Sequence, residues 1–419
     1  MHFRQLIIIF FIGAITACGG GGNNNSTGSL PLPPESSPAT DYKQAELDFI
    51  QGELKARHPN LFFKRSETEF DNDVETLRQS ANTLSDIEFR LESTKLVATI
   101  GDQHTYMIMH EPSLLTFPVE VWWVGERAIV TKATDDYQHL LGQELLSIDG
   151  IATIDMQDTA MQYLAYENPH WKDALSPRFL KYAELLAHEG SIASAESAAF
   201  TFVDGNGNQS QELISSLYQP EWTSIESTRS TEPVYAQQTD NYWATMTDDV
   251  LFIQYNSCFD ISGYPLTAFV NDLAELIGSH QPQKVAVDLR FNHGGRINHF
   301  LPVIDYLADT EFNQEDRLFV ITGRHTFSSG VGTTYSFLDS TNATFIGMPT
   351  GGKPNSYSHV IGYSLSGSLN SLYMATNYLA VSPVDVETFT PDALTPFTQE
   401  DFLNGSDPAL RYVINGITN

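Results

Sequence analysis

The chain has 419 residues, and 22 Lys+Arg against 52 Asp+Glu give it a net charge of −30. Such a charge repels phosphate backbones and excludes nucleic-acid binding through a basic face; it reads first as a solvated surface and only second as a preference for cationic substrates. With 41% hydrophobic and 18% charged residues the chain is neither a disordered polyacid nor a coiled coil, and its length fits two or three domains.

Its first residues are an address. His2 and Arg4 precede an apolar and small run over 6–17 that is too short to span a bilayer as a helix. Ile15-Thr16-Ala17-Cys18 then resembles the lipobox of bacterial lipoproteins, which implies that 1–17 is a signal peptide and that Cys18 is lipidated. A plain cleaved signal peptide with an incidental cysteine is the alternative. Residues 19–25 are all Gly or Asn, and Pro31, Pro33, Pro34 and Pro38 follow, so 18–41 is expected to be a tether that buries no core. Gly19 after the cysteine points to the cell envelope, with the lipid in the outer membrane and the chain facing periplasm or cell surface. The two cysteines, Cys18 and Cys258, cannot build a disulfide framework or a multi-thiolate metal site. If Cys18 carries lipid, no intramolecular disulfide remains.

Over 42–99, within an N-terminal domain expected at 42–115, the pattern is helical. Leu47, Ile50 and Leu54 recur at i, i+3 and i+7, and Phe70, Val74 and Leu77 at i, i+4 and i+7. Ser85 with Glu88 forms a capping box before a third segment carrying Ile87 and Leu91. Region 116–240 opens with strand signals at 119–123, 128–130 and 145–150, passes through a mostly helical stretch at 156–188, and returns to strand at 200–203 before the hairpin turn 204–207. Trp122 and Trp123 are adjacent, so in a strand one faces the core and the other a ligand or a domain interface. From 241 to 419 strands and helices alternate. Strands are expected at 250–255, 285–289, 317–321 and 343–347, with an amphipathic helix at 266–277 and another marked by Val331, Tyr335 and Leu338. Repeated β-turn-α units place loops at the carboxyl edges of strands, where ligands bind in α/β folds.

Two of those loops suit acyl chemistry. Gly294-Gly295 after an apolar strand lets backbone N–H groups approach a ligand without an intervening Cβ. Ser328 sits where a strand turns into a helix, so neighbouring amides and the helix dipole favour a developing oxyanion. By composition alone, a Gly-Gly pair is a turn and a serine there is an N-cap.

The order of the motifs adds to this. DLRFNHGG at 288–295 looks like a DLRxNxGG signature, GRHTFSSG at 323–330 a nucleophile loop, and GMPTGGKPN at 347–355 a GxxTGGKPN loop. GDQHT at 101–105 resembles a GDxHT element; Pro391-Asp392 and GSDP at 405–408 resemble a closing PD and GxDP. Together, over roughly 45–415, they resemble the tail-specific, or C-terminal processing, serine protease family, with its tricorn-like and retinoid-binding-protein-like members. The resemblance implies an α+β multidomain chain. Its parts would be an N-terminal helical domain at 42–115, a degenerate PDZ-like β module within 116–240, and an α/β crotonase-like (ClpP/crotonase-type) catalytic core at 241–419. It further implies a membrane-tethered serine-type peptidase acting on peptides or proteins through an acyl-enzyme, without cofactor or metal.

Carried over residue by residue, Ser328 matches the nucleophile. Lys353, 25 residues on, matches the base of a serine–lysine dyad, and Asp339 an acidic position near it. The Gly294-Gly295 backbone and the Ser329 amide match the oxyanion hole, and His104 matches the base of the tricorn-like branch. A lysine must be desolvated to act as a base near pH 7, whereas a histidine needs only an orienting partner. Glu387 is a weak match for that partner. The GDxHT element and the TFSSG loop together favour His104. Departures are Val331 where a glutamate is usual, Met348 likewise, Gln103 where some members have serine, and no clear glycine-rich carboxylate-binding loop. The rival expectation is a catalytically silent lipoprotein binding peptides or apolar ligands on the same fold. The pairs His104/His110 and His293/His299 would be metal ligands only if the fold gathered them, and Cys258 is expected to be a buried thiol.

Overall fold

The computed structural model describes residues 42–224, 234 and 239–416, so the signal segment, Cys18 and the tether lie outside the described residues. The helical periodicity folds as read. Helices α1 (Tyr42–Arg57), α2 (Glu67–Ser80) and α3 (Asp86–Ala98) bury Leu47, Ile50, Leu54, Phe70, Val74 and Leu77. Capping boxes at Ser66/Glu69 and Ser85/Glu88 satisfy amides that the first turns of α2 and α3 leave open. The short strand β1 (Tyr106–Ile108) follows.

An antiparallel sheet comes next, in which β2 (Val119–Val124), β3 (Arg127–Ala133), β4 (Glu144–Ile148), β5 (Ser197–Val203) and β6 (Gln209–Ser215) pair in succession. The helical stretch between β4 and β5 is broken into short helices α4 (Met156–Ala160), α5 (Pro169–Leu175) and α6 (Ala183–His188). Alternation along β2 divides the two tryptophans as expected. Trp123 is buried and its indole N–H donates to Ser176 Oγ at 2.9 Å. Trp122, on the other face, stacks on Phe291 and His325 at 6.0 and 5.5 Å between ring centres, so it meets the loops of the third region.

That region is built on a six-stranded sheet. Strand β7 (Tyr242–Thr247) is antiparallel to β8 (Val250–Tyr255); β9 (Lys284–Asp288), β10 (Leu318–Thr322) and β11 (Thr344–Gly347) continue parallel to β8. The crossovers are α7 (Leu266–His280), α8 (Leu301–Ala308) and α9 (Ser329–Ser340). Strands β8 and β10 are buried along their whole length, which is why they appear in the sequence as unbroken apolar runs. Leu338 departs from the expected helix face: the end of α9 at 338–340 is exposed, and Phe337 is buried instead.

Between β11 and the last parallel strand the chain leaves the sheet for a hairpin, β12 (Asn355–Ser364) and β13 (Ser371–Ala380), and returns as β14 (Ala393–Leu394) beside β11. Strand β13 also pairs with β1. Tyr363, Leu365, Leu372 and Met374 of this excursion share one hydrophobic cluster with α1, α2 and α3. The N-terminal helices are therefore covered by a segment some 300 residues downstream, a contact that no local pattern of residues marks. Helices α10 (Gln399–Asn404) and α11 (Pro408–Asn415) close the chain.

A buried ionic lock explains two of the motifs. Arg290 donates to Asp288 at 2.7 Å and to Asp407 at 2.6 and 2.9 Å, with all three residues buried. Burial disfavours the guanidinium charge, but the two carboxylates outweigh it and raise the Arg290 pKa. Asp407 also accepts from the Ala409 and Leu410 amides, capping α11. Asp407→Ala should cost about 3–5 kcal/mol, because it strands part of a buried cation. An unchanged midpoint in urea unfolding would refute this.

Candidate active site

Because β9, β10 and β11 are adjacent and parallel, their carboxyl-end loops lie side by side. Direct bonds tie them together. The Phe327 amide donates to Asn292 O at 2.9 Å, Thr326 Oγ1 to Leu289 O at 2.8 Å, Ser329 Oγ to Gly295 O at 2.8 Å, and the Gly352 amide to Thr326 O at 3.0 Å.

Ser328 occupies the turn from β10 into α9 with φ 53° and ψ −125°, a left-handed conformation that costs a non-glycine residue about 1–3 kcal/mol. It stands in the N-cap position, yet its side chain makes no capping bond. The N-cap reading of this serine therefore fails, and the hydroxyl is left to half-exposed space at a helix start. Gly294, at φ 99°, lies directly against it: a Cβ there would sit 2.7 Å from Ser328 Cβ and 2.8 Å from the Ser329 nitrogen. Its own amide donates to Asn292 Oδ1 at 2.8 Å. Gly294 is thus corrected from oxyanion donor to clearance, since its N–H is already spent within the loop. The other two members of the expected set lie together beside it, since Ser329 follows Ser328 and its Oγ bonds Gly295 O. Asn292, which sequence reasoning did not single out, organises the loop: Oδ1 also accepts from Cys258 Sγ at 3.3 Å, and Nδ2 donates to Tyr255 O at 3.0 Å. Its signal was the N of the DLRxNxGG string.

His104 is buried and stacks on Phe327, the residue before Ser328, with ring centres 4.6 Å apart. Phe327 also stacks on Trp171 of α5 at 4.2 Å and 4°. Neither ring nitrogen of His104 has a hydrogen-bond partner, so the structure brings the imidazole to the nucleophile's neighbour without closing a bond to Ser328. Burial lowers the His104 pKa to about 4, against the opposing charge of Asp102. Asp102 does not orient the ring. It accepts the His104 backbone amide at 3.0 Å and Thr105 Oγ1 at 2.5 Å, and it faces His58 Nε2 at 3.1 Å. Since His58 Nδ1 accepts from the Asn60 amide, the His58 proton is assigned to Nε2, toward Asp102.

Lys353 Nζ lies 3.2 Å from Asp385. Partial burial works against its charge, but the bond and charge of Asp385 prevail and raise the pKa, so Lys353 is a cation at neutral pH. As a resting general base it is corrected: its acidic neighbour is Asp385, on a segment the motifs did not flag. Asp339 is exposed at the far end of α9, about 15 Å along the helix from its start. Glu387 is exposed, and its main-chain oxygen accepts from Asn168 Nδ2 at 2.9 Å.

The remaining candidates find ordinary partners. Cys258 is fully buried. His110 Nδ1 meets Ser113 Oγ, and His299 lies between Tyr255 and Asp260, while His293 packs edge-on to His325. Among the described residues, the His/Cys/Asp/Glu group close enough to share an ion is Glu92, His188 and Glu189, which includes none of these histidines. No helix of the described residues is long and apolar enough to cross a membrane.

No protein-family profile matches the chain, and no curated protein does. Solved structures do. Mature CPAF complexed with lactacystin overlays with a TM-score of 0.61 at 12% identity, covering 90% of this chain and 99% of that one. Mature CPAF gives 0.59 at 12% identity, covering 91% and 99%. The photosystem II D1 C-terminal processing protease gives 0.38 at 12%, covering 85% and 94%. At such identities the likeness is one of fold: this chain shares the fold of mature CPAF.

Proposed function

We propose that the protein is a serine-type peptidase held at the cell envelope by a lipid on Cys18. The observation that carries this reading is Ser328: a strained, uncapped serine at a helix start, fitted against Gly294 and preceded by a phenylalanine that packs on a buried histidine. Strain of this kind persists where the surroundings over-determine it, and it clusters at reacting groups. In the mechanism, Ser328 Oγ attacks a peptide carbonyl while His104 accepts its proton and then passes it to the leaving amine. The Gly295 and Ser329 amides hold the oxyanion, and water activated by His104 releases the acyl-enzyme. Substrate binding closes the His104–Ser328 contact that stands open here, as apo catalytic bonds often do. The Lys353 cation, beside Asp385, orients a carbonyl or carboxylate of the substrate. The sheet β7–β11 with β14 is assigned as the crotonase-like core, and β2–β6 as the degenerate PDZ-like module.

Reaction with a fluorophosphonate probe tests the reading: labelling that maps to Ser328 supports it. The open nitrogens of His104 favour a second reading, a silent binder of peptides or apolar ligands, and absence of labelling at any pH would select it. The anchor is tested separately. Cys18→Ser should release the protein from membranes or block its processing, and unchanged membrane partitioning would remove the lipid from the proposal.

A further inference from the structure

In a chain with 52 Asp+Glu, a histidine readily finds a carboxylate. His58, His139, His188 and His299 do so, each within 3.3 Å. Two histidines break the pattern, and both stand on the loops that carry the glycine pair and the candidate nucleophile. His293 immediately precedes Gly294, and His325 lies three residues before Ser328. Their rings meet edge-on with centres 5.6 Å apart, so the two loops present them as one unit.

Aromatic rings wall this unit. Trp122 stacks on His325 at 5.5 Å, and Trp171, which also covers Phe327, lies 6.4 Å from His293. His293 is exposed and His325 half-buried, yet loss of hydration lowers their pKa values to about 4 and about 3. A side chain open to solvent but poorly hydrated belongs to the wall of a cleft. The charges around the pair act in one direction. Arg178 faces His293 and Arg324 faces His325, and each opposes protonation of the imidazole beside it. The nearby carboxylates serve the arginines: Asp173 lies 3.8 Å from Arg324, and Glu111 acts on Arg178. In a protein of net charge −30 this is a locally positive cleft.

At neutral pH each ring is uncharged and keeps one N–H to give. Among the described residues neither ring has a hydrogen-bond partner. Two N–H donors in a positive field match one carboxylate, whose two oxygens are acceptors only. We infer that His293 and His325 form a carboxylate subsite beside Ser328, which selects substrates carrying an acidic side chain near the scissile bond. The inference deepens the peptidase reading and rests on it. A free C-terminus offers the same chemistry, so the test distinguishes the two sources. Lys353, already paired with Asp385 at 3.2 Å, is left to a substrate carbonyl.

The experiment uses the full chain and internally quenched peptides that differ only by Glu or Gln beside the cleaved bond, with both termini blocked. A second pair differs only in a free or amidated C-terminus. In the wild-type protein the carboxylate member of one pair should be favoured about tenfold or more in kcat/KM, chiefly through KM. The Glu pair carrying the effect identifies a side chain as the source, and the terminal pair identifies the C-terminus. His293→Phe combined with His325→Phe keeps both rings and removes both N–H groups. The ratio measured within that variant should fall to within about twofold of unity, whatever its overall rate. Equal rates within both pairs, or a wild-type ratio in the double variant, would overturn the inference. So would a ratio that Lys353→Ala abolishes and the double variant keeps. If the double variant does not fold, the single variants decide: each should lower the ratio about threefold or more, and a wild-type ratio in both overturns the subsite. Binding of fluorescein-labelled versions of the peptides to Ser328→Ala, read by anisotropy, separates the two failures. Carboxylate preference in binding, with neither hydrolysis nor fluorophosphonate labelling of the wild type, would sink the peptidase reading and keep the subsite. Hydrolysis and labelling without the preference would sink the subsite alone.

Discussion

Ser328→Ala is expected to abolish peptidase turnover and fluorophosphonate labelling while the fold stays intact. The side chain makes no capping bond, so the roughly 1 kcal/mol that an N-cap serine usually contributes is not at stake. Alanine keeps a Cβ and therefore keeps the strain of φ 53°. Ser328→Gly separates the two effects. It removes the nucleophile and also relieves about 1–3 kcal/mol of strain, set against about 0.5–1 kcal/mol for the added freedom of a glycine. Glycine should therefore be as inactive as alanine but more stable, by about 1 kcal/mol in urea unfolding. Full activity in either variant would remove Ser328 from the mechanism, and a destabilised glycine variant would mean the turn is not strained.

The second large effect separates the two bases. His104→Ala should cost several orders of magnitude in kcat/KM, whereas Lys353→Ala should cost less and act partly through KM. The pH profile gives the same answer by a different route. A histidine base works in its neutral form, and burial favours that form, so with His104 as the base kcat/KM should rise through a midpoint at or below the ordinary histidine value of about 6.5. A lysine base held charged by Asp385 would leave the rate still climbing above the ordinary lysine value of about 10.4. The same shift on His104 predicts a stability effect of definite sign. A folded-state pKa below the unfolded one means that its contribution is present above about 6.5 and is lost as pH falls toward about 4. Lys353→Ala inactive with His104→Ala near normal would reassign the base.

How much of this was legible depends on range. Helices α1 and α2, the apolar strands β8 and β10 and the split between Trp122 and Trp123 follow from periodicity and alternation, which are properties of neighbouring residues. Ser328 and the glycine loop were marked weakly by their places at strand ends and firmly by the order of short motifs, and His104 by that order alone. What those motifs do was not. That Gly294 gives up its amide to Asn292, that Arg290 is locked to Asp407, and that Lys353 meets Asp385 rather than Asp339 all depend on contacts between segments distant in the chain or on a backbone angle.

The sequence by itself determined which groups the protein owns and which elements carry them: a serine at a strand-to-helix turn, a glycine pair after a buried strand, a histidine before β1. The tertiary structure decided their states. Burial disfavours the charged form of His104, an ion pair maintains the charge of Lys353, and a loop hydrogen bond removes one amide from the candidate oxyanion hole. It also tied Asn168, in a segment without a motif, to Gly351 and to Glu387 through its side-chain amide. Residue identity sets the chemistry a group is capable of; desolvation and neighbouring charge set its protonation, and both come from the packing of remote segments.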